Sequence, residues 1–467
     1  MFRRTMVGPL LVALAVLVGV LFIGGVLPGG SPATASPGPS AGASPSVAQT
    51  AAASPSAGAP GPGTSASPPA QPSPAPSAAS TPGPSGSPTA VSPDLALRLQ
   101  VALDAYATKY RLPGASVTIT WPDGRAWTGV TGFADLKAAR RVTPDTVFAI
   151  ASMSKTFTSA LILGLVDDGK LSLDRKVATL LPSVRLGTPG TPIPAAITVR
   201  MLLDHTSGLA DFFFGKGIDA ALNAARGTTW TPERALAYVG KPLGPAGRSW
   251  HYSNTNYVLL GLVAEKVGGA PFATLVRQRL FGPFGLTTAS IQGVERARGP
   301  LAMGYRYASS APGARPILLA DPSRLIVPFT SVVTAAGSAG DVAATSGDLA
   351  SWARALYGGR VLKPDTLAQA EADWRATAPY RPYVAYGLGV QVSKVDGYRA
   401  YGHSGRFIGV RGELRYLPAV GLAFAILVNQ NGVDIRPLTA KLVTIALALP
   451  PVSIPGQSPV PSPSSAP

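Results

Sequence analysis

Apolar side chains recur at spacings of three and four along Pro93–Tyr110, at Leu95, Leu99, Leu103 and Tyr106, which predicts a helix with one buried face. The pattern then changes period. Residues 115–121 and 125–132 read as two strands, and Pro122-Asp123-Gly124 between them has the chemistry of a hairpin turn. Residues 152–168 form a strongly apolar helical run closed by Gly169. From about residue 171 to 328 short helices mix with long loops, residues 257–267 being the clearest helix. Thr345-Ser346-Gly347-Asp348 has the form of a capping box opening a helix that reaches Tyr357. Strand-like patterns return at residues 385–393, 398–402, 409–417 and 422–429, and residues 435–449 read as a closing helix. Strands near both ends with helices between them predict an α/β fold. Its central sheet is mostly antiparallel and flanked by helices, with a helical lobe inserted.

The flanks do not share this patterning. Met1-Phe2-Arg3-Arg4 precedes an almost unbroken apolar run from residue 7 to 27. A positive flank before such a run marks an export signal, and residues 1–28 are read as a signal anchor or signal peptide. The length suffices to span a bilayer, while Ala33-Thr34-Ala35 offers a small-residue cleavage site. Either outcome makes the remainder extracytoplasmic, membrane-anchored or secreted. Residues 29–92 are mainly Pro, Ser, Ala, Gly and Thr, too poor in apolar bulk to offset chain entropy, and are expected to be a disordered linker. At about 3.1 Å per residue its roughly 60 residues reach nearly 200 Å when extended, enough to hold a domain away from a membrane. Residues 450–467 have the same character, leaving residues 93–449 as the folded domain.

Charge and rare residues narrow the chemistry. The net charge is +17, but the arginines are dispersed and no basic stretch carries interleaved aromatics, which argues against nucleic-acid binding. With no cysteine, disulfides, thiolate metal sites and cysteine nucleophiles are excluded. Three histidines and no H-E-x-x-H make a multi-histidine zinc site a poor fit, and no cofactor is implied.

Three short motifs carry candidate chemistry. Ala151-Ser152-Met153-Ser154-Lys155 opens the first buried helix, and only Lys155 among the lysines has a serine three residues before it. That spacing puts the Ser152 hydroxyl and the Lys155 amine on one helix face. A lysine desolvated among Phe148, Ile150, Met153 and Phe157 has a lowered pKa and can deprotonate the serine. Tyr252-Ser253-Asn254 joins a phenol able to relay a proton to an amide able to bind a substrate carbonyl. His403-Ser404-Gly405 follows one expected strand and precedes another. Gly405 there admits a substrate backbone to the strand edge, and His403 and Ser404 offer polar groups to a cleft.

In order, spacing and context these motifs resemble the serine β-lactamase-like and penicillin-binding superfamily, in its class C and D-alanyl-D-alanine carboxypeptidase branch. Val147-Phe148-Ala149-Ile150-Ala151 before Ser152, Leu202-Leu203-Asp204-His205-Thr206-Ser207-Gly208-Leu209, and Tyr252-Ser253-Asn254-Thr255-Asn256-Tyr257 are typical of it. The resemblance implies that Ser152 forms an acyl-enzyme, that Lys155 and Tyr252 manage the protons, and that Asn254 binds the substrate amide. It further implies an oxyanion hole from the N–H groups of Ser152 and Arg406. His403 stands where many members carry lysine, so Arg406 or Arg411 is expected to supply charge for a substrate carboxylate. No deacylating glutamate of the class A kind can be located. The expected function is an exported D-alanyl-D-alanine carboxypeptidase or β-lactamase-type amidase acting on a small molecule or a peptidoglycan peptide. The alternatives are a small-molecule esterase on the same fold and a non-catalytic wall-binding module.

Overall fold

A computed structural model describes residues 90–309, 313–372, 375–377 and 383–448. The expected signal segment, nearly all of the linker and the C-terminal tail lie outside these residues. Among the described residues no single helix is long and apolar enough to cross a membrane.

Helix α1, Pro93–Tyr110, starts where the sequence predicts, because Ser92 Oγ accepts from the Leu95 N–H and Pro93 needs no donor partner. It ends at Arg111, which takes the left-handed conformation at φ 50°. Leu95, Leu99 and Leu103 are wholly buried, and burying each contributes roughly 1.5–3 kcal/mol. The fold reaches slightly further back than expected. Ala90 bridges to Ala126, and Val91 packs into the core beneath α1, so Ala90–Ser92 belong to the domain rather than to the linker.

The central sheet has nine strands: β1 Gly114–Thr120, β2 Ala126–Asp135, β3 Arg140–Arg141, β4 Arg375–Ala376, β5 Tyr383–Tyr386, β6 Gln391–Val395, β7 Tyr398–Phe407, β8 Val410–Leu417 and β9 Leu422–Val428. Across the sheet they run β4-β5-β6-β7-β8-β9-β1-β2-β3, and every pairing is antiparallel. The first and last parts of the chain thus join at the β9–β1 pair. Ala115, Val117 and Ile119 face a core shared with α1 and with helix α5, Arg436–Leu447. Ser116 and Thr118, on the opposite face by the two-residue period, meet Ser346 Oγ at 2.8 Å each. That serine opens helix α4, Ser346–Tyr357, so the sheet is covered on both faces.

Between the two halves of the sheet lie helices α2, Lys155–Asp167, and α3, Asn254–Gly268, with shorter helices and loops around them. Both are largely buried, as the apolar lobe predicted from the sequence requires.

Three local differences from the sequence reading matter. Residues 385–393 are not one strand: Gly387 N–H bonds the Val390 carbonyl at 2.8 Å, Gly389 sits at φ 85°, and the chain reverses between β5 and β6. β7 does not stop at Gly402 but continues to Phe407, so the third motif lies on the strand itself. At Thr345 only half of a capping box forms. Thr345 Oγ1 accepts from the Asp348 N–H, but the Asp348 carboxylate turns to Thr288 instead of back to the cap.

Candidate active site

The nucleophile candidate sits on a tight turn. Phe148–Ala149 pairs with Val342–Ala344, Ala151 takes φ 51°, and Ala151–Ser154 forms a 3-10 turn before α2 begins at Lys155. Three residues per turn stack positions i and i+3 directly, so Ser152 and Lys155 align better than on an α-helix. Ile150 N–H bonds the Val342 carbonyl at 3.0 Å, and Ser154 Oγ accepts from the Val342 N–H at 3.0 Å. Trp352 Nε1 donates to Thr156 Oγ1 at 2.9 Å. The turn is therefore held by three hydrogen bonds, two to Val342 and one to Trp352.

Lys155 is wholly buried. Its Nζ donates to Ser152 Oγ at 3.2 Å, Asn254 Oδ1 at 2.7 Å and the Ala339 carbonyl at 2.7 Å. The rings of Tyr252 and Tyr257 lie 5.2 and 5.3 Å from the amine. Burial drives its pKa down from the ordinary 10.5 to about 7, against the pull of the Asp211 and Asp341 carboxylates. An amine that is neutral in half its population near pH 7 and in contact with a serine hydroxyl is equipped to take that proton.

Tyr252-Ser253-Asn254 lies at the N-terminal end of α3, which begins at Asn254, three residues before the helix expected over 257–267. Beneath it sits His205, wholly buried in a left-handed conformation at φ 61°. Its Nδ1 accepts from the Ser253 N–H at 3.2 Å and from Asn256 Nδ2 at 3.1 Å, which puts its proton on Nε2. Its ring lies 4.4 Å from that of Tyr252, centroid to centroid. Burial holds the His205 pKa well below its ordinary value, so the ring is neutral. The Asn254 amide is spanned between Lys155 and Asp211, with Oδ1 accepting from Lys155 Nζ and Nδ2 donating to Asp211 Oδ2 at 2.7 Å.

The third motif is organised differently from the expectation. His403 does not line a cleft; its ring is wholly buried. Nδ1 meets the Ser404 carbonyl at 2.6 Å and must carry the proton, so Nε2 accepts from the Tyr386 hydroxyl at 3.0 Å. Burial and the nearby Lys155 depress its pKa, leaving a neutral imidazole. The Cα face of Gly405 is taken by the nucleophile turn. A Cβ there would overlap the Ile150 carbonyl oxygen, so the glycine lets β7 pack against the nucleophile turn.

Pairing of β7 with β6 ends at Gly402, so residues 403–407 pair with β8 alone and have an open edge on the other side. The Ser404 N–H points to that side, donating to Gln391 Oε1 at 2.8 Å. By the two-residue period the Arg406 N–H points the same way. The Arg406 side chain is exposed. Arg411 is not available: its guanidinium donates to the Val433 carbonyl at 2.5 Å and pairs with Asp434 at 3.6 Å.

All three motifs therefore converge on one place, within reach of Lys155. Five participants escaped the sequence reading: Asp211, Asp341, His205, Tyr386 and Gln391. His205 stood in a segment already singled out, and Asp211 lies two residues beyond it. Tyr386 and Gln391 carry no signal short of knowing the strand pairing.

This fold and this constellation define a serine hydrolase of the β-lactamase and penicillin-binding type. Residues 99–448 match the Beta-lactamase family, and the chain belongs to it. It is 30% identical over 341 residues to penicillin-binding protein 4 of Amycolatopsis lactamdurans, covering 71% of this chain and 84% of that one. It is 25% identical over 366 residues to the D-aminopeptidase of Brucella canis, covering 76% of this chain and 63% of the relative. The structure of a D-stereospecific amidohydrolase from Streptomyces sp. superposes with a TM-score of 0.63 at 29% identity, over 75% of this chain and 98% of that one.

Proposed function

We propose that this protein is an exported amidase that cleaves the amide bond beside a D-configured residue in a peptide or small amide, as a D,D-carboxypeptidase or β-lactamase-type enzyme does. The observation that carries the reading is the buried Lys155 amine, with its pKa near 7, in contact with Ser152 Oγ at 3.2 Å. Two of the relatives, a D-aminopeptidase and a D-stereospecific amidohydrolase, are named for D-configured substrates, and a third is named for binding penicillin, which supports this reading.

In this mechanism neutral Lys155 takes the Ser152 proton as Oγ attacks the substrate carbonyl. The developing oxyanion is held by two N–H groups. Ser152 supplies one from the first turn of its helical segment, where amides have no intrahelical acceptor, and Arg406 supplies the other from the open edge of β7. Tyr252 passes a proton to the departing amine and regains one from protonated Lys155, which leaves an acyl-serine and a neutral lysine. Water then enters, Lys155 removes its proton and returns it to Ser152 Oγ, and the acid is released. The exposed Arg406 guanidinium is the cation placed to meet a substrate carboxylate, given that His403 is neutral. Export rests on the basic flank and apolar run at the N-terminus.

The neutral third motif also favours a second reading, an esterase for uncharged acyl compounds. A panel separates the two. The full chain and Ser152→Ala are assayed on D-alanyl-D-alanine peptides, D- and L-amino acid amides, benzylpenicillin and p-nitrophenyl esters. Turnover of D-amides over L-amides that needs Ser152 supports the amidase; turnover of esters alone refutes it. Failure of every acylating probe would leave only a binding module.

A further inference from the structure

An asparagine side chain has a donor at one end of its planar amide and an acceptor at the other, and only one orientation lets Asn254 accept from Lys155. The contact at the opposite end selects it. Asn254 Nδ2 donates to Asp211 Oδ2 at 2.7 Å, and the Asn254 backbone N–H also donates to that carboxylate. The other oxygen, Asp211 Oδ1, accepts from the Phe213 N–H at 3.0 Å, capping the 3-10 turn Phe212–Phe214. A buried group whose oxygens only accept, from three donors, is held as an acceptor. We propose that Asp211 is a positioning residue: its carboxylate fixes the Asn254 amide with Oδ1 toward Lys155 Nζ and thereby holds the amine against Ser152. It acts through Asn254, and the inference rests on Ser152 being the acylated nucleophile.

A merely structural carboxylate would stabilise the turn and leave the chemistry of Lys155 alone. Asp211 does more, because its charge is one of two that favour protonated Lys155. The other is Asp341, which itself lies near Glu295. The remaining groups facing the amine are the neutral rings of His205 and His403 and the phenols of Tyr252 and Tyr257. Removing the Asp211 charge therefore lowers the pKa of Lys155 further. Moving that charge to position 254, next to the amine, raises it.

Two variants of the full chain exploit this. Asp211→Asn leaves an amide that can serve either the Phe213 N–H or the Asn254 amide, not both. The exchange Asp211→Asn with Asn254→Asp restores the contact to Lys155, the bond between the two side chains and the acceptor for the Phe213 N–H, since a carboxylate at 254 accepts from Lys155 and from the new amide. The rate of p-nitrophenol release in the first turnover of p-nitrophenyl acetate reports acylation, and thermal melting reports folding. For Asp211→Asn we expect acylation to fall about ten- to a hundred-fold with little change in KM, the range for a misplaced catalytic group. Its acid limb should move to lower pH. The exchange variant should recover part of the rate, with its acid limb above that of the wild type. An unchanged rate and acid limb in folded Asp211→Asn overturn the proposal. If that variant does not fold, a folded exchange variant with no acylation, or with the wild-type acid limb, overturns it instead. A wild-type protein with no Ser152-dependent burst removes the proposed function and this inference together; a wild-type burst with Asp211 silent removes the inference alone.

Discussion

Replacing Lys155 with methionine keeps the bulk of the side chain, removes the amine, and ties the stability of the fold to pH in a way the burial of this residue dictates. An unfolded lysine titrates near 10.5, whereas the folded one is pulled down to about 7. Between those values the unfolded chain binds a proton that the folded chain does not, so wild-type stability rises with pH across that window. The slope is about 1.4 kcal/mol per pH unit and vanishes below the folded pKa. The methionine variant has no such slope. From pH 8 to 9.5 the wild type should therefore gain about 2 kcal/mol on Lys155→Met. Working above pH 8 keeps Asp341, whose own pKa is pushed up to about 7 by burial, ionised in the wild type. The absolute difference at pH 8 is smaller. The variant escapes about 3 kcal/mol of deprotonation cost. It also leaves Asn254 Oδ1 and the Ala339 carbonyl without their donor, at about 1–3 kcal/mol each. Urea unfolding of both proteins at the two pH values measures the change. A stability difference that stays constant between pH 8 and 9.5 would mean that Lys155 keeps its ordinary pKa and cannot serve as the base.

Four further substitutions probe the third motif and its neighbours. Gly405→Ala forces a Cβ into the Ile150 carbonyl, and should cost about 1–3 kcal/mol in urea unfolding and slow acylation by shifting the Ser152 turn. A variant of wild-type stability would show that β7 does not press on that turn. Tyr386→Phe strands the buried His403 Nε2, and thermal melting should show a loss of about 1–3 kcal/mol; an unchanged melt would mean that the hydroxyl contributes nothing. Arg406→Ala should raise KM about ten-fold for substrates ending in a carboxylate and leave neutral amides untouched, in keeping with one lost charge-assisted contact. Arg411→Ala, which breaks the contacts to Val433 and Asp434, should lower stability with no such discrimination between substrates. The reverse pattern would exchange their roles.

Periodicity made the first helix, the β1–β2 hairpin and the antiparallel end of the sheet readable, because their buried positions recur at fixed intervals and their ends carry local signals. Pro93 at the start of α1, the Pro122-Asp123-Gly124 turn and Gly169 after α2 are such signals. The errors share a cause. Gly387 and Gly389 reverse a chain whose apolar run, Leu388 and Val390, reads as continuous strand, and the tertiary fold alone reveals the turn. Ser152 and Lys155 were legible because their spacing is itself the geometry. His403 and Gly405 were both identified, though the histidine read as lining a cleft is buried against Tyr386, and the glycine also makes room for Ile150. Asp211 was invisible because its partner Asn254 is 43 residues away. No local pattern encodes which carboxylate meets which amide.

The central claim is that Ser152 becomes acylated with Lys155 as its base. The most direct test is intact-mass and peptide mapping of the full chain after mixing with benzylpenicillin and with a D-amino acid p-nitrophenyl ester, with Ser152→Ala and Lys155→Met alongside. The account predicts an acyl adduct on the Ser152 peptide, or rapid consumption of the probe, in the wild type only. An adduct that persists in Ser152→Ala, or a wild type that neither accumulates an adduct nor consumes either probe, would contradict it.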